Sequence, residues 1–368
     1  MQADADVVIV GGGPAGLATA LELRRTGQDV LVVDRAEPPI DKACGEGLMP
    51  DGVQALRRLG VEIDEARSAP LLGIRYLDGE ERAEARFPGL PGRGIRRTVL
   101  HQALVDRAAE AGVRVVWGVV VNGLDERGLL TDQGHLRATW IVGADGLHSG
   151  VRRWAGLDTR RARFHRNGVR RHIEIQPWTD FVEVHWADGC EAYVTPVSSE
   201  QIGIAILWSE QKADFGTLLT RFPVLEERLR NAVVVTGDRG AAQLEQRTRA
   251  VRRGRIALVG DASGYRDAIT GEGMSLAFHQ ARALAAAIAV GNLREYERGH
   301  RRLAALPFAL IRLLMEAERR PWLRRRLIGT LAAEPDLFAK LLAIHTREAP
   351  LGSVGRKGLL RLARGLLS

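Results

Sequence analysis

Cysteine, lysine and aromatic residues are all scarce in this 368-residue chain. Two cysteines, Cys44 and Cys190, cannot build a disulfide scaffold or a cysteine zinc site, so a reducing, cytoplasmic setting is expected. The longest apolar run, residues 283–290, has eight members. About 20 are needed to span a bilayer. No basic segment precedes the hydrophobic stretch that begins near Val7, so no secretory signal is expected. Repeats and low-complexity blocks are absent. A composition of 45% hydrophobic and 27% charged residues excludes wholesale disorder, and the length suggests two packed domains.

Only four of the 53 basic residues are lysines, and the formal net charge is +8. Residues 301–368 hold 14 Arg and Lys against 5 Asp and Glu, so the whole surplus lies in the last fifth of the chain. Apolar stripes accompany it at helical spacing: Leu323, Leu327 and Leu331, then Leu359, Leu362 and Leu366. Arg324, Arg325 and Arg326 crowd one turn of the first stripe. Amphipathic helices are expected, docked on the body with a solvated basic face or making peripheral contact with a membrane. No aromatic–basic stacking pattern goes with the charge, so no nucleic-acid partner is expected.

Residues 6–10 read as a buried strand, 11–16 as a tight turn, 14–26 as a helix and 29–33 as a strand ending in Asp34. Short apolar runs at 113–117, 139–142 and 256–259 extend a parallel sheet, with helices over 53–59, 100–111 and 274–290. Between 168 and 208 the rhythm changes. Four runs rich in β-branched and aromatic residues, 169–175, 181–186, 191–197 and 202–208, predict an antiparallel sheet. The expected fold class is α/β: a doubly wound, Rossmann-like parallel sheet with an inserted antiparallel substrate sheet and a helical C-terminal cap.

Gly11, Gly13 and Gly16, with Pro14 and Ala15 between them, form GxGxxG directly after a strand and before a helix. The glycines permit the turn, let backbone approach a pyrophosphate, and allow close helix–strand contact. The helix N-terminus adds free N–H groups and partial positive charge. Asp34, 18 residues beyond Gly16, stands where an acid accepts hydrogen bonds from ribose hydroxyls. Two further strand ends carry acids: Asp145 and Gly146, followed by Ser149 and Arg152, and Gly260 and Asp261, followed by Gly271 and Gly273 before a long Ala-rich helix.

With these three motifs in order, the sequence resembles the FAD-binding family that holds single-component aromatic hydroxylases, flavin halogenases and geranylgeranyl reductases. The matching segments are VVIVGGGPAGLATALELRRTGQDVLVVDR, VGADGLHSGVRR and ALVGDASGYRDAITGEGMSLAFHQA, with Arg97-x-x-Leu100-x-x-x-Leu104 before the third strand. The resemblance implies FAD as cofactor and NADPH or NADH as electron donor, with a partner flavin reductase as the other source. It places Gly11, Gly13 and Gly16 at the pyrophosphate, Asp34 and Arg35 at the adenosine ribose, and Arg97 near the pyrophosphate–ribityl region. Val120 would meet the adenine through its backbone, and Asp261 would hold a ribityl hydroxyl or pyrophosphate-linked group. Gly271, Gly273 and Met274 would face the isoalloxazine edge. Asp145 and Gly146 would join FAD support to reductant binding, or Asp145 would cap a helix; Ser149 and Arg152 read as helix cap and surface charge. The implied layout is an FAD-binding domain from 1–70, 98–160 and 250–295, a substrate domain from 71–97 and 161–249, and a basic helical region at 296–368.

The segment from Asp41 to Pro50 resembles both the Cys-Gly stretch of the reductases and the basic-Gly loop of the hydroxylases. Gly45 and Gly47 would lie close to the flavin face. Cys44 is either a small residue packed on the ring or a redox or proton-donor group, with Lys42 as its electropositive neighbour. Glu46 is either an acid–base group or a loop carboxylate bonding backbone. The halogenase Trp-x-Trp-x-Ile-Pro signature is absent, Tyr193 replaces the reductases' tryptophan, and Ala268 replaces a proline frequent beside the flavin. His172, His185 and His279 read as structural. The expected activity is an NAD(P)H-dependent monooxygenase hydroxylating or epoxidising a small lipophilic substrate through a C4a-hydroperoxyflavin. The alternative is a geranylgeranyl-reductase-like enzyme reducing isoprenoid C=C bonds.

Overall fold

The computed structural model describes residues 3–159, 166–209 and 213–367. Its first sheet is six-stranded, in the order Arg252–Arg253, Ile256–Leu258, Ala138–Gly143, Ala5–Val10, Val30–Asp34, Arg114–Trp117. Every pairing is parallel except the terminal Arg252–Arg253 hairpin. Both faces of the central strand are buried, which explains its unbroken apolar run. Val7 and Ile9 pack against the helices Pro14–Arg25, Arg97–Glu110 and Gly273–Ala289, while Val8 and Val10 meet Leu129, Val151 and Leu258 on the other side. The strand order reverses beside Ala5–Val10, and ligands of such sheets bind in the crevice at that point.

The second sheet holds the four strands expected between 168 and 208: Asn167–Glu174, Phe181–Ala187, Cys190–Pro196 and Gln201–Trp208. It is mixed rather than purely antiparallel, because Phe181–Ala187 pairs in parallel with Gly73–Asp78. The hairpin of Gly73–Asp78 with Glu81–Arg86 escaped the sequence reading. Its second strand, Glu-Arg-Ala-Glu-Ala-Arg, buries only Ala83 and Ala85 and carries no long apolar signal. One sheet face is covered by the short helices Phe215–Leu219 and Pro223–Leu229. The other looks toward the parallel sheet and the C-terminal helices.

Those helices are Leu293–Arg319, Pro321–Ala333, Pro335–His345 and Gly355–Leu367. Leu327, Leu331 and Phe338 join one apolar cluster with Trp186 and Tyr76, so the first leucine stripe is a docked cap. Arg324 corrects the picture of a wholly solvated basic face. It is 3% exposed and donates to Asp78 at 2.9 and 3.1 Å and to Asp188 at 3.0 Å, clamping the cap to the second sheet. The second stripe splits, with Leu359 left exposed and Leu362 half-buried. The long helix also grips the first sheet, through the Tyr296 hydroxyl on the Leu258 carbonyl (2.5 Å) and His300 Nε2 beside Ser263 Oγ (2.9 Å). Among the described residues no helix is long and apolar enough to cross a membrane.

Candidate functional site

Three turns converge at the C-terminal edge of the parallel sheet. The glycine turn is the tightest. A Cβ on Gly16 would stand 1.9 Å from the Gly11 carbonyl oxygen, and one on Gly11 (φ +112°) would meet the Ala144 carbonyl oxygen at 2.4 Å. These two glycines are required by close packing. Gly13 differs, because its only neighbour within 4 Å of a built Cβ is an Arg97 guanidinium nitrogen at 3.8 Å. Open space before a helix N-terminus, with a cation on its far side, is what a pyrophosphate requires. Asp34 braces the turn by accepting from Gly12 N–H (2.7 Å) and Ala36 N–H (2.9 Å). His101, which sequence reading passed over, accepts from Ile40 N–H at Nδ1 (3.3 Å) and donates from Nε2 to the Gly12 carbonyl (2.8 Å). Burial depresses its pKa and keeps the ring neutral for that task.

The cations here lack an anion of matching size. Arg97 Nε is buried without a hydrogen-bond partner. The Lys42 ammonium is pushed below its usual pKa by burial and then by Arg97, with Asp34 and Asp261 opposing. Asp261 is pushed up by burial, against the pull of Arg97, Lys42 and Arg152. A bound dianion between Lys42 and Arg97 would relieve both, so these residues fit the pyrophosphate of FAD. Bound there, FAD would be held by Gly13, Arg97, Lys42 and Asp261, and would supply two-electron chemistry that the side chains lack.

Several expectations are refined by the geometry. Asp145 spends both oxygens on the helix Gly150–Trp154, accepting from Ser149 Oγ (2.5 Å), Gly150 N–H (2.7 Å) and Val151 N–H (3.1 Å), so any support it gives a cofactor is indirect. Ser149 caps the same helix by accepting from Arg152 N–H (2.9 Å). Arg152 is no surface charge: it is 1% exposed and donates to Asp158, Leu147, Gln246 and Ala262, tying this turn to Gly260–Ser263. Gly146 (φ +81°) lies beside the Lys42 ammonium. Val120, expected to meet the adenine through its backbone, spends both its N–H and its carbonyl on Asp132, and its side chain is exposed. Arg35 is exposed next to Asp34.

Gly260 (φ +61°) donates to Gln280 of the late helix at 2.8 Å. That helix begins at Gly273, and its first intrahelical N–H bond is from Leu276 to the Glu272 carbonyl. Gly271 and Gly273 are exposed on either side of buried Glu272, with Met274 half-buried. Met49 lies 3.4 Å from a Cβ built on Gly271, so the Cys44–Met49 loop and the late helix enclose one space. Within that loop Cys44 Sγ accepts from Glu46 N–H at 3.3 Å. Burial raises the thiol's pKa, and its cationic neighbour is Arg97 rather than Lys42. Cys44 is therefore a protonated thiol. Glu46, 1% exposed, accepts from Arg97 N–H (2.8 Å) and faces His172 Nε2 at 2.5 Å. His185 pairs with Glu183 (3.3 Å) and His279 with Asp51 (3.0 Å), each a satisfied structural contact. No metal-ligand cluster occurs among the described residues.

The comparisons agree with this geometry. The family model described as FAD binding domain matches residues 4–295. A menaquinone reductase of Mycolicibacterium smegmatis is 32% identical over 51% of this chain and 50% of its own length, so the chain spans about half of that relative. Digeranylgeranylglycerophospholipid reductase 1 of Methanothermobacter thermautotrophicus is 27% identical over 81% of this chain and 82% of its own. The 6-methylpretetramide 4-monooxygenase of Streptomyces rimosus is 31% identical over 76% and 74%. Among solved structures, a flavoprotein/dehydrogenase from Cytophaga hutchinsonii superposes with a TM-score of 0.83 at 17% identity, covering 99% of this chain and 98% of that one. With a glycine turn, an orphaned arginine and a late helix meeting at the sheet's switch point, the chain belongs to the FAD binding domain family of FAD-dependent oxidoreductases.

Proposed function

We propose that the chain is an FAD-dependent reductase that takes electrons from NADPH or NADH and saturates a C=C bond of a long lipophilic, isoprenoid-type substrate. One observation carries this reading. One buried apolar cluster joins Met49 and Ile269, in the loops at the late helix, to Val184, Tyr193 and Leu207 of the second sheet and to Ile311 and Met315 under the cap. A substrate bound against such a cluster would be a hydrocarbon chain rather than a small polar ring. Similarity to the menaquinone and digeranylgeranylglycerophospholipid reductases points the same way. In this reading FAD supplies the hydride. The chain's own residues hold its pyrophosphate, offer the positive end of the helix starting at Gly273, and keep a proton on Cys44 Sγ.

Hydroxylation or epoxidation is the second reading, favoured by the 31% identity to the 6-methylpretetramide 4-monooxygenase over three quarters of the chain. Anaerobic incubation of the purified chain with NADPH and a menaquinone or polyprenyl lipid is expected to give a product two mass units heavier. An oxygen-dependent gain of sixteen units, with nothing formed without air, would select the oxygenase instead. Bleaching of the flavin by NADPH alone would dispense with a partner flavin reductase.

We further propose that the last helix brings the protein to the cytoplasmic face of an anionic membrane, where such substrates reside. Leu359 and Leu360 are 58% and 67% exposed, beside Arg356, Lys357 and Arg364, and residues 355–367 contain no acid. Apolar side chains next to cations match an anionic lipid interface. The protein is expected to float with phosphatidylglycerol vesicles and not with phosphatidylcholine, and L359E/L360E to stay in the pellet fraction. Equal, negligible flotation of both proteins would remove the idea.

A further inference from the structure

Asp51, Gln54 and Arg58 stand three and then four residues apart on the helix Pro50–Leu59, so they share one face. That face forms one wall of a cleft of about 530 Å³. Pro88 and Gly89, His279 of the late helix, and residues 346–348 at the end of the cap form the rest. Four segments far apart in sequence therefore build one concavity, and its volume falls in the range of about 300–1,000 Å³ that small-molecule sites occupy.

Some of its polar groups are spent on one another. Asp51 faces His279 Nε2 at 3.0 Å and Arg347 Nε at 3.4 Å. Glu348 accepts from Thr346 Oγ1 at 3.2 Å, and burial, reinforced by Asp51, raises its carboxyl pKa. Arg347 donates to the Leu303 carbonyl at 3.1 Å and holds φ +60°, a left-handed backbone that non-glycine residues adopt only where the surroundings enforce it. Arg58 and Gln54 differ. Among the described residues neither side chain has a hydrogen bond or an ion pair. The seven-residue step sets Arg58 about 10 Å along the helix axis from Asp51. A cation at one end and carboxylates at the other suit a ligand with an anionic group and hydroxyl donors, whereas a bare anion would meet the two acids.

The cleft adjoins both the flavin side and the apolar cluster. Asp51 lies two residues beyond Met49, Pro88 follows Phe87, and Thr346 donates to the Leu342 carbonyl one turn earlier at 3.1 Å. Met49, Phe87 and Leu342 all belong to the cluster under the cap. Asp51 and Arg347 also act on the charge of Glu272, between Gly271 and Gly273.

We propose that this cleft binds a phosphate ester carrying free hydroxyls, with its phosphate on Arg58 and its hydroxyls on Asp51, Gln54 and Glu348. Arg347 adds positive charge behind the phosphate. Two molecules of that chemistry serve the reductase reading: NADPH or NADH through its ribose phosphate, and an isoprenoid substrate through a phosphorylated head. The choice between them rests on that reading; the binding does not.

Calorimetric titration of the FAD-loaded protein with NADP+, geranyl phosphate, geraniol and inorganic phosphate tests the site. At least one of the two esters should bind, and R58E should weaken it about tenfold, the loss of one charge-assisted contact. R58K should keep most of the affinity. R57E, the same charge change at the neighbouring exposed residue, should leave it unaltered. FAD affinity and melting temperature should be the same in all three variants. The bound ester should also slow hydrogen exchange over residues 51–58 and 346–348. A response to R58E from NADP+ alone assigns the cleft to the reductant, from geranyl phosphate alone to the substrate head, and from both to the shared chemistry. Absence of ester binding, equal affinities in wild type and R58E, an equal loss in R57E, or inorganic phosphate binding as tightly as the esters would overturn the site. If wild-type protein reduces no alkene while R58E still weakens the ester, the reductase reading fails and the cleft stands.

Discussion

Gly13→Val is expected to fold normally and to emerge from purification without colour. A Cβ at Gly13 meets nothing but the end of the Arg97 side chain, so the apoprotein has room for the substitution. Gly13 also has φ −73°, which any residue can adopt. The space it fills is the approach to the first turn of the helix Pro14–Arg25, where backbone N–H groups face the cleft. Loss of that approach should weaken FAD binding at least a hundredfold, which corresponds to about 3 kcal/mol. Isothermal titration with FAD and thermal unfolding of the apoprotein measure the two halves separately. Retained stoichiometric flavin would mean the pyrophosphate lies elsewhere, whereas a collapsed melting temperature would mean that Gly13 is structural.

Arg166→Met should destabilise the protein by about 3–5 kcal/mol, because it strips the counter-ion from a buried acid cluster. Arg166, 1% exposed, donates to Glu191 at 2.6 Å and to Asp267 at 3.0 Å, with Glu318 close enough to add its charge. Burial of Glu191, reinforced by Asp267 and Glu318 and only partly offset by Arg166, lifts its carboxyl to about 7. The folded chain therefore binds a proton that the unfolded chain, with a carboxyl near 4.5, releases. This group's contribution is complete below about pH 4.5 and is lost as the pH rises through 7, a change of about 3 kcal/mol. Urea unfolding of the wild type at pH 5 and pH 8 should show that slope, and E191Q should flatten it. The cluster also braces the loop that leads to Gly271: Tyr193 donates to the Ile269 carbonyl at 3.0 Å, and Ile269 N–H donates to Asp267 at the same distance. Its loosening should be felt at the loop beside Gly271.

Much of the cofactor side was legible because its chemistry is local in sequence. Gly11 and Gly16 answer to backbone clashes within a six-residue turn, Asp34 to the end of the next strand, and Gly273 to the start of a helix. Arg97 was expected in this region from the resemblance, and its orphaned Nε had no sequence signal. The substrate side was opaque for a definite reason. Alternation along a strand divides residues into two faces but does not name the face that will be covered. Arg170 and His172 share a face with Glu191, Tyr193 and Thr195, and only the docking of the Cys44–Met49 loop onto that face made His172 the partner of Glu46. Arg152 and Arg324 were misjudged in the same way, since arginine's usual place is solvent and burial depends on carboxylates and carbonyls far along the chain.

The sequence by itself determined the parallel sheet, the FAD cleft and the amphipathic character of the tail, because each depends on residues within one or two turns or strands of one another. Tertiary structure decided which charges are spent internally and which remain for chemistry: Asp145 on a helix, Arg166 on two acids, Glu46 on His172. The physical reason is desolvation. A buried ion is tolerated only where distant segments bring it a partner, and the identity of that partner exists only once the sheets have packed.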